Sequence, residues 1–205
     1  MSEPYYVIGI DVMSYSQKEL PDQVHAQNLL DRTLSSALKK SPSVRLRKWI
    51  DGGDGGYLLL SGDAKDITTL IELFLTELAT ENRVLQDDNR AFVRCAIHHD
   101  LIDCRNGELG EKFTGNAINV CARLLNGMPR TANQVVCSAK FRELLTAFND
   151  HVESITRLRD VVDKHGNSHA MYNLKRNRLG VDPSPLEVHP DPLERFDEGD
   201  IPAQS

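Results

Sequence analysis

The chain has 205 residues, of which 40% are hydrophobic and 26% charged, and its formal net charge is −6. A chain of this size buries roughly 70% of its unfolded surface, so one globular domain with a tail is expected. No run approaches the roughly 18 continuous apolar residues of a membrane span, and no charged-then-apolar leader opens the chain, which predicts a soluble, cytoplasmic protein with no membrane partner.

The charge has one location. Residues 180–205 hold seven acids, one arginine and five of the nine prolines, so the whole net charge lies in this stretch. It reads as a disordered or loosely docked acidic tail following a domain of residues 1–179. That domain is formally neutral, so no nucleic-acid partner is expected. Cys95, Cys104, Cys121 and Cys137 show neither CxxC spacing nor a histidine at zinc-finger spacing. Reduced thiols are the expectation.

In chain order, Tyr5–Asp11 reads as a strand apolar on both faces. From about Gln17 to Lys40, Ala26, Leu29, Leu30, Thr33, Leu34, Ala37 and Leu38 mark one helical face, and Pro42 ends that helix. Val44–Ile50 and Gly55–Ser61 form a hairpin turned by glycines. Asp66–Leu85 is a second amphipathic helix and Ala91–His99 another strand, with Asn106-Gly107 as the turn of a ribbon extending from it. A helix at about Asn116–Leu125, a strand Gln134–Cys137, a helix Ala139–Phe148 and strands near Ser154–Val162 and His169–Leu174 complete the series. The predicted class is α+β, with a ferredoxin-like βαββαβ core: an antiparallel sheet with helices on one face. Neither GxGxxG nor GxxxxGK[ST] is present.

Two aspartates stand out. Asp11 closes the apolar run Tyr6-Val7-Ile8-Gly9-Ile10, and Asp54 lies within Asp51-Gly52-Gly53-Asp54-Gly55-Gly56. Each can be an ordinary turn residue. Together they also suit hard divalent cations, which take one or two carboxylates plus water and substrate phosphates. Further along, Gly115 leads into a helix on which Asn119 and Arg123 are four residues apart and share a face. A neutral donor beside a fixed cation either solvates that helix or meets charge building on a phosphoryl oxygen. His98-His99-Asp100 ends a strand where alternate side chains diverge, so a structural or rim role is expected.

Ile8-Gly9-Ile10-Asp11-Val12, Ile50-Asp51-Gly52-Gly53-Asp54 and Gly115-Asn116-Ala117-Ile118-Asn119-Val120-Cys121-Ala122-Arg123 together resemble the class III nucleotide cyclase catalytic domain. In that family the corresponding motifs are F-x-D-I, K-x-x-G-D and G-x-x-V-N-x-A-x-R. The resemblance spans about residues 5–175. It implies that Asp11, Asp54 and the Val12 carbonyl hold two divalent cations, Mn²⁺ or Mg²⁺. Backbone amides near Ser14, Tyr15 and Ser16 would cradle phosphate. Asn119 would orient the ribose and Arg123 would stabilise charge at the α-phosphate, while Lys164 is the nearest match to a family lysine that binds triphosphate. The family builds each site between two chains, so the resemblance also implies a homodimer with composite active sites.

The departures concern the base. Adenylyl cyclases place lysine and aspartate where this chain has Ile50 and Lys112, and guanylyl cyclases place glutamate and cysteine there. A branched apolar residue and a donor-only lysine suit a small base with carbonyls, uracil before cytosine. The pattern is similar to the pyrimidine cyclases of bacterial anti-phage (Pycsar) systems, which implies UTP or CTP as substrate and a cyclic nucleotide read by a separate effector protein. Gly52-Gly53-Asp54 also resembles the GGDEF signature of diguanylate cyclases, although Gly55-Gly56 follow in place of an acidic residue and an aromatic. A purine-specific cyclase and a degenerate, non-catalytic dimerisation domain are the remaining alternatives.

Overall fold

Alternation along β1 (Ser2–Val12) organises the molecule. Tyr6, Ile8, Ile10 and Val12 enter one core, while Tyr5 and Val7 enter a second core on the opposite face. A strand covered on both faces reads as a near-continuous apolar run, which is the pattern in the sequence. The computed structural model describes residues 2–108, 110–146, 154–163 and 166–175. The acidic stretch 180–205, Lys164 and the last two residues of the predicted helix Ala139–Phe148 lie outside the described residues.

After β1 the chain makes a single 3-10 turn (Tyr15–Gln17) and enters α1 (Leu20–Lys40). The helix starts later than the periodicity predicts because Pro21, favoured in a first turn, sits at its N-terminus. Next come β2 (Arg45–Asp51), β3 (Gly55–Ser61), α2 (Ala64–Asn82) and β4 (Val93–Gly107). The remaining elements are β5 (Gly110–Thr114), α3 (Ala117–Gly127), β6 (Gln134–Ser138), α4 (Ala139–Thr146), β7 (Ser154–Arg157), β8 (Val161–Val162), β9 (Ser168–His169) and β10 (Met171–Lys175). The strand order is β2-β3-β1-β4-β6-β10-β7, with β5 paired to β4 and β8–β9 forming a separate ribbon.

The first four strands pair antiparallel, and α1 and α2 cover the face lined by Ile8, Leu58, Leu60 and Ile97. That much is the expected βαββαβ core. Two features extend it. β4 and β6 run parallel, so the whole sheet is mixed. Helix α3 packs on the other face, against Val7, Leu59, Ala96 and Val136, so the helices are divided between the two faces. The cause lies in the second face of β1 and β4, whose apolar residues need a cover once α1, α2 and α4 have filled the first. β4 is also longer than its apolar stretch, because its last residues are held by pairing with β5.

His98 illustrates the cost of a buried polar group. Its Nδ1 is 2.8 Å from the Ser138 hydroxyl, and its buried Nε2, 3.6 Å from Asp100, has no hydrogen bond. Burial pushes its pKa down to about 4, Asp100 opposes that shift and Lys140 adds to it. The folded value lies below the ordinary 6.5, so the unfolded chain takes up the proton first, and stability present above pH 6.5 is lost as the pH falls toward 4. His99, also lowered by burial, adds to the same slope. Urea midpoints measured between pH 7 and pH 4.5 should fall steeply for the native chain and less steeply for His98→Gln. An unchanged slope would rule out His98 as a source of the pH dependence.

Candidate active site

The hairpin and β1 place the two aspartates side by side. Asp11 lies opposite Gly55 of β3 and Arg94 of β4, and the Val12 N–H donates to the Asp54 carbonyl at 2.7 Å. The turn is closed by Gly52 N–H donating to the Gly55 carbonyl (2.9 Å) and Gly53 N–H donating to Asp51 Oδ1 (2.9 Å). Gln27 of α1 donates to the Gly53 carbonyl at 2.8 Å, tying the turn to the first helix. Gly55 has φ +148, and a Cβ there would run into the Ile10 carbonyl. Asp54 is exposed, whereas the Asp11 side chain is 25% accessible.

Arg94 is the residue that sequence reasoning missed. Its Nε (3.0 Å) and Nη2 (2.6 Å) both donate to Asp11 Oδ2, leaving Oδ1 outside that pair. The only signal that could have revealed it is the β1–β4 register, which is not visible in a linear sequence. Between the carboxylates and the core lies Tyr57, whose hydroxyl pKa is raised chiefly by burial, then by Cys121, Asp54 and Asp11. Beyond Val12, Ser14 adopts φ 55 and turns the chain into the 3-10 turn. The amides of Ser14, Tyr15 and Ser16 stand at the start of that turn, where N–H groups have no intrahelical partner.

Among the described residues, no group of three or more His, Cys, Asp or Glu side chains forms a self-sufficient metal cage. Two carboxylates and a backbone carbonyl are instead the sparse, all-oxygen donor set that Mg²⁺ or Mn²⁺ completes with water and phosphate oxygens. The residues present therefore fit such ions.

The second half of the site depends on how α3 is seated. A Cβ on Gly9 would lie 2.7 Å from Leu125 Cδ1 and 3.1 Å from Cys121 Sγ, so the glycine is what lets the helix approach β1. The Gly9 N–H points at Cys121 Sγ (3.1 Å), and Cys121 donates to the Ala96 carbonyl (3.1 Å). Burial pushes the Cys121 thiol up to about 12, which leaves it unreactive. With that side of α3 against the sheet, Asn119 is exposed and Arg123 half-buried. Arg123 Nη1 forms an ion pair with Asp163 Oδ2 at 3.1 Å and lies 3.3 Å from His169 Nε2. Among the described residues, neither Asn119 nor Arg123 is hydrogen-bonded to Asp11 or Asp54.

Ile50 faces the α3 side of the sheet with Tyr57, while Trp49 faces the opposite core. On β5, Glu111 ion-pairs with Arg47, and Phe113 joins the α3-side core beneath the same guanidinium at 5.8 Å. Lys112 lies between them in sequence, so its side chain leaves the other face of the ribbon. The structure thus does not group Lys112 with Ile50.

No family model and no curated protein matches the sequence. Solved structures do match the fold. The guanylate cyclase domain of RhGC from Catenaria anguillulae, in complex with GTP, superposes with a TM-score of 0.66 at 12% identity, covering 87% of this chain and 100% of that one. The adenylate/guanylate cyclase/hydrolase from Silicibacter pomeroyi gives 0.67 at 17% identity, with 87% and 99% covered. The adenylyl cyclase CyaB from P. aeruginosa gives 0.60 at 12% identity, with 89% and 100% covered. The chain has the class III nucleotide cyclase fold.

Gly55→Ala should lower stability by at least about 1–3 kcal/mol, because it combines a strained φ with a backbone clash. Chemical denaturation measures this, and a variant as stable as the native chain would show that the hairpin does not need glycine at that position.

Proposed function

We propose that the chain is a homodimeric nucleotide cyclase that converts UTP to 3′,5′-cyclic UMP and pyrophosphate, with CTP as the second substrate considered. The observation that carries the reading is the joint presence, on a cyclase-type fold, of the Asp11–Asp54 pair at one sheet end and the Asn119–Arg123 pair on α3. Each pair is half a site, and a head-to-tail dimer would bring the halves of two chains together.

Asp11, Asp54 and the Val12 carbonyl would hold two divalent cations, Mn²⁺ or Mg²⁺. Bound there, such ions lower the pKa of the ribose 3′-hydroxyl and neutralise the triphosphate. The amides of Ser14, Tyr15 and Ser16 would donate hydrogen bonds to phosphate oxygens, and Lys164 would add a cation to the triphosphate. Arg94 supplies a further positive charge beside Asp11. From the partner chain, Asn119 would hydrogen-bond the ribose and orient its 3′-oxygen toward the α-phosphorus. Arg123 would stabilise the charge that grows on the α-phosphate oxygens, a contact whose loss typically costs roughly 10²–10³ in rate.

The base reading rests on residue types. By residue type alone, Ile50 offers a base edge no hydrogen bond and Lys112 offers donors, which suit the carbonyls of uracil and oppose the amino groups of adenine and cytosine, although alternation sends the two side chains to different faces within one chain. The product would act as a signal read by a separate effector in antiviral (anti-phage) defence.

Incubating the purified protein with each of the four ribonucleoside triphosphates and Mn²⁺, with products identified by mass, should yield cyclic UMP above all others. Cyclic AMP or cyclic GMP alone would sink the pyrimidine reading, and a dinucleotide product would favour a diguanylate cyclase. Asp54→Ala should lose turnover while keeping the native circular dichroism. Mixing Asp54→Ala chains with Arg123→Ala chains should restore activity through one intact site per heterodimer, and the absence of any recovery would argue against shared sites.

A further inference from the structure

Away from the β2–β3 hairpin, a polar cluster surrounds the Arg123 guanidinium. Asp163 is the residue at its centre, and its side chain is 2% exposed. Its Oδ1 accepts the Asn167 N–H at 2.9 Å, while Oδ2 accepts from Asn167 Nδ2 at 3.1 Å and forms an ion pair with Arg123 Nη1 at 3.1 Å. The Asp163 N–H donates to the Asn167 carbonyl and the Gly166 N–H donates to the Asp163 carbonyl, both at 2.9 Å. His169 Nε2 lies 3.3 Å from Arg123 Nη1 and 3.5 Å from Asp163 Oδ2. Separating a carboxylate this deeply buried from its cation would leave an uncompensated buried charge, which is strongly destabilising.

Arg123 is held through one nitrogen. The contacts to Asp163 and His169 both use Nη1, and its side chain is 25% exposed. A guanidinium has five N–H donors in a rigid fork, so the Nε–Nη2 edge keeps the geometry that meets two phosphate oxygens side by side. An unanchored arginine would lose its rotamer freedom on meeting substrate; this one has already lost it on folding.

We propose that Asp163 is the positioning residue for Arg123: it grips the inner nitrogen and presents the outer edge of the fork to the α-phosphate in the site shared with the partner chain. Asn167 steadies the carboxylate and His169 flanks the grip. This rests on the cyclase reading for its chemistry, whereas the grip itself is testable without activity.

The test compares the full-length native chain with Asp163→Asn, Arg123→Ala and the double variant, using the nucleotide the native enzyme turns over best. Asp163→Asn should lower kcat roughly 10- to 100-fold with little change in KM, because it misplaces a group that acts in the transition state. The double variant should be no slower than Arg123→Ala alone. Losses that multiply in the double variant, or a native kcat in Asp163→Asn, would overturn the assignment. Should Asp163→Asn fold poorly, Asn167→Ala loosens the same carboxylate. It should give a smaller kcat loss that likewise vanishes in the Arg123→Ala background, and a loss that persists there would count against the proposal. Independently of turnover, the Arg123 Nε–H resonance, assigned by its absence in Arg123→Ala, should be sharp in the native chain and exchange-broadened in Asp163→Asn. Identical signals would show that Asp163 does not position the guanidinium, while a native chain that cyclises no nucleotide but shows the broadening would retain the grip and remove the cyclase chemistry.

Discussion

Strand β1 is hydrogen-bonded along both edges, to β3 and to β4, and covered on both faces, and the positions of the functional residues follow from that confinement. A one-residue slip of β1 would exchange its two apolar sets and carry Asp11 away from Gly55 and Arg94. Because both faces are filled with side chains, the register has no room to slip. The strand therefore delivers a carboxylate to a defined place at the sheet end, where the hairpin turn delivers the second. Gly9 adds the other consequence, since the missing side chain in the middle of β1 admits α3 and fixes which of its sides points outward.

Two ion pairs share one electrostatic device. At the hairpin end of the sheet Arg94 is paired with Asp11, and on α3 Arg123 is paired with Asp163. Each pair keeps a functional group from being a lone charge in a partly dry environment, and each leaves part of that group outside the pair. Asp11 keeps Oδ1 and Arg123 keeps one edge of its fork. Groups held in place before substrate arrives need little reorganisation during the reaction.

The β2–β3 hairpin serves different ends on its two faces. Trp49 closes the core beneath α1, while Ile50 faces the side on which α3 lies. Charged residues along β2 (Arg45, Arg47 and Lys48) mark it as a protected sheet edge. The β4–β5 ribbon is pinned to that edge through Arg47 and Glu111. Its alternation sends Lys112 away from Ile50, so the two base-reading positions suggested by sequence do not converge within one chain.

The sequence by itself determined the local elements. Apolar runs and 3.6-residue periodicity placed β1, α1, α2 and the hairpin, since those signals depend only on neighbours along the chain. Asp11, Asp54, Asn119 and Arg123 stood out as candidates because they stand in short motifs beside glycines. The tertiary structure decided what depends on residues far apart in the chain: the parallel pairing of β4 with β6, the placement of α3 on the second face, and the partners Arg94 and Asp163. Arg94 is 83 residues from Asp11. Asp163 stands in no motif, and only folding shows that it is buried against Arg123. Strand register and burial are properties of the assembled sheet, so no linear motif announces them.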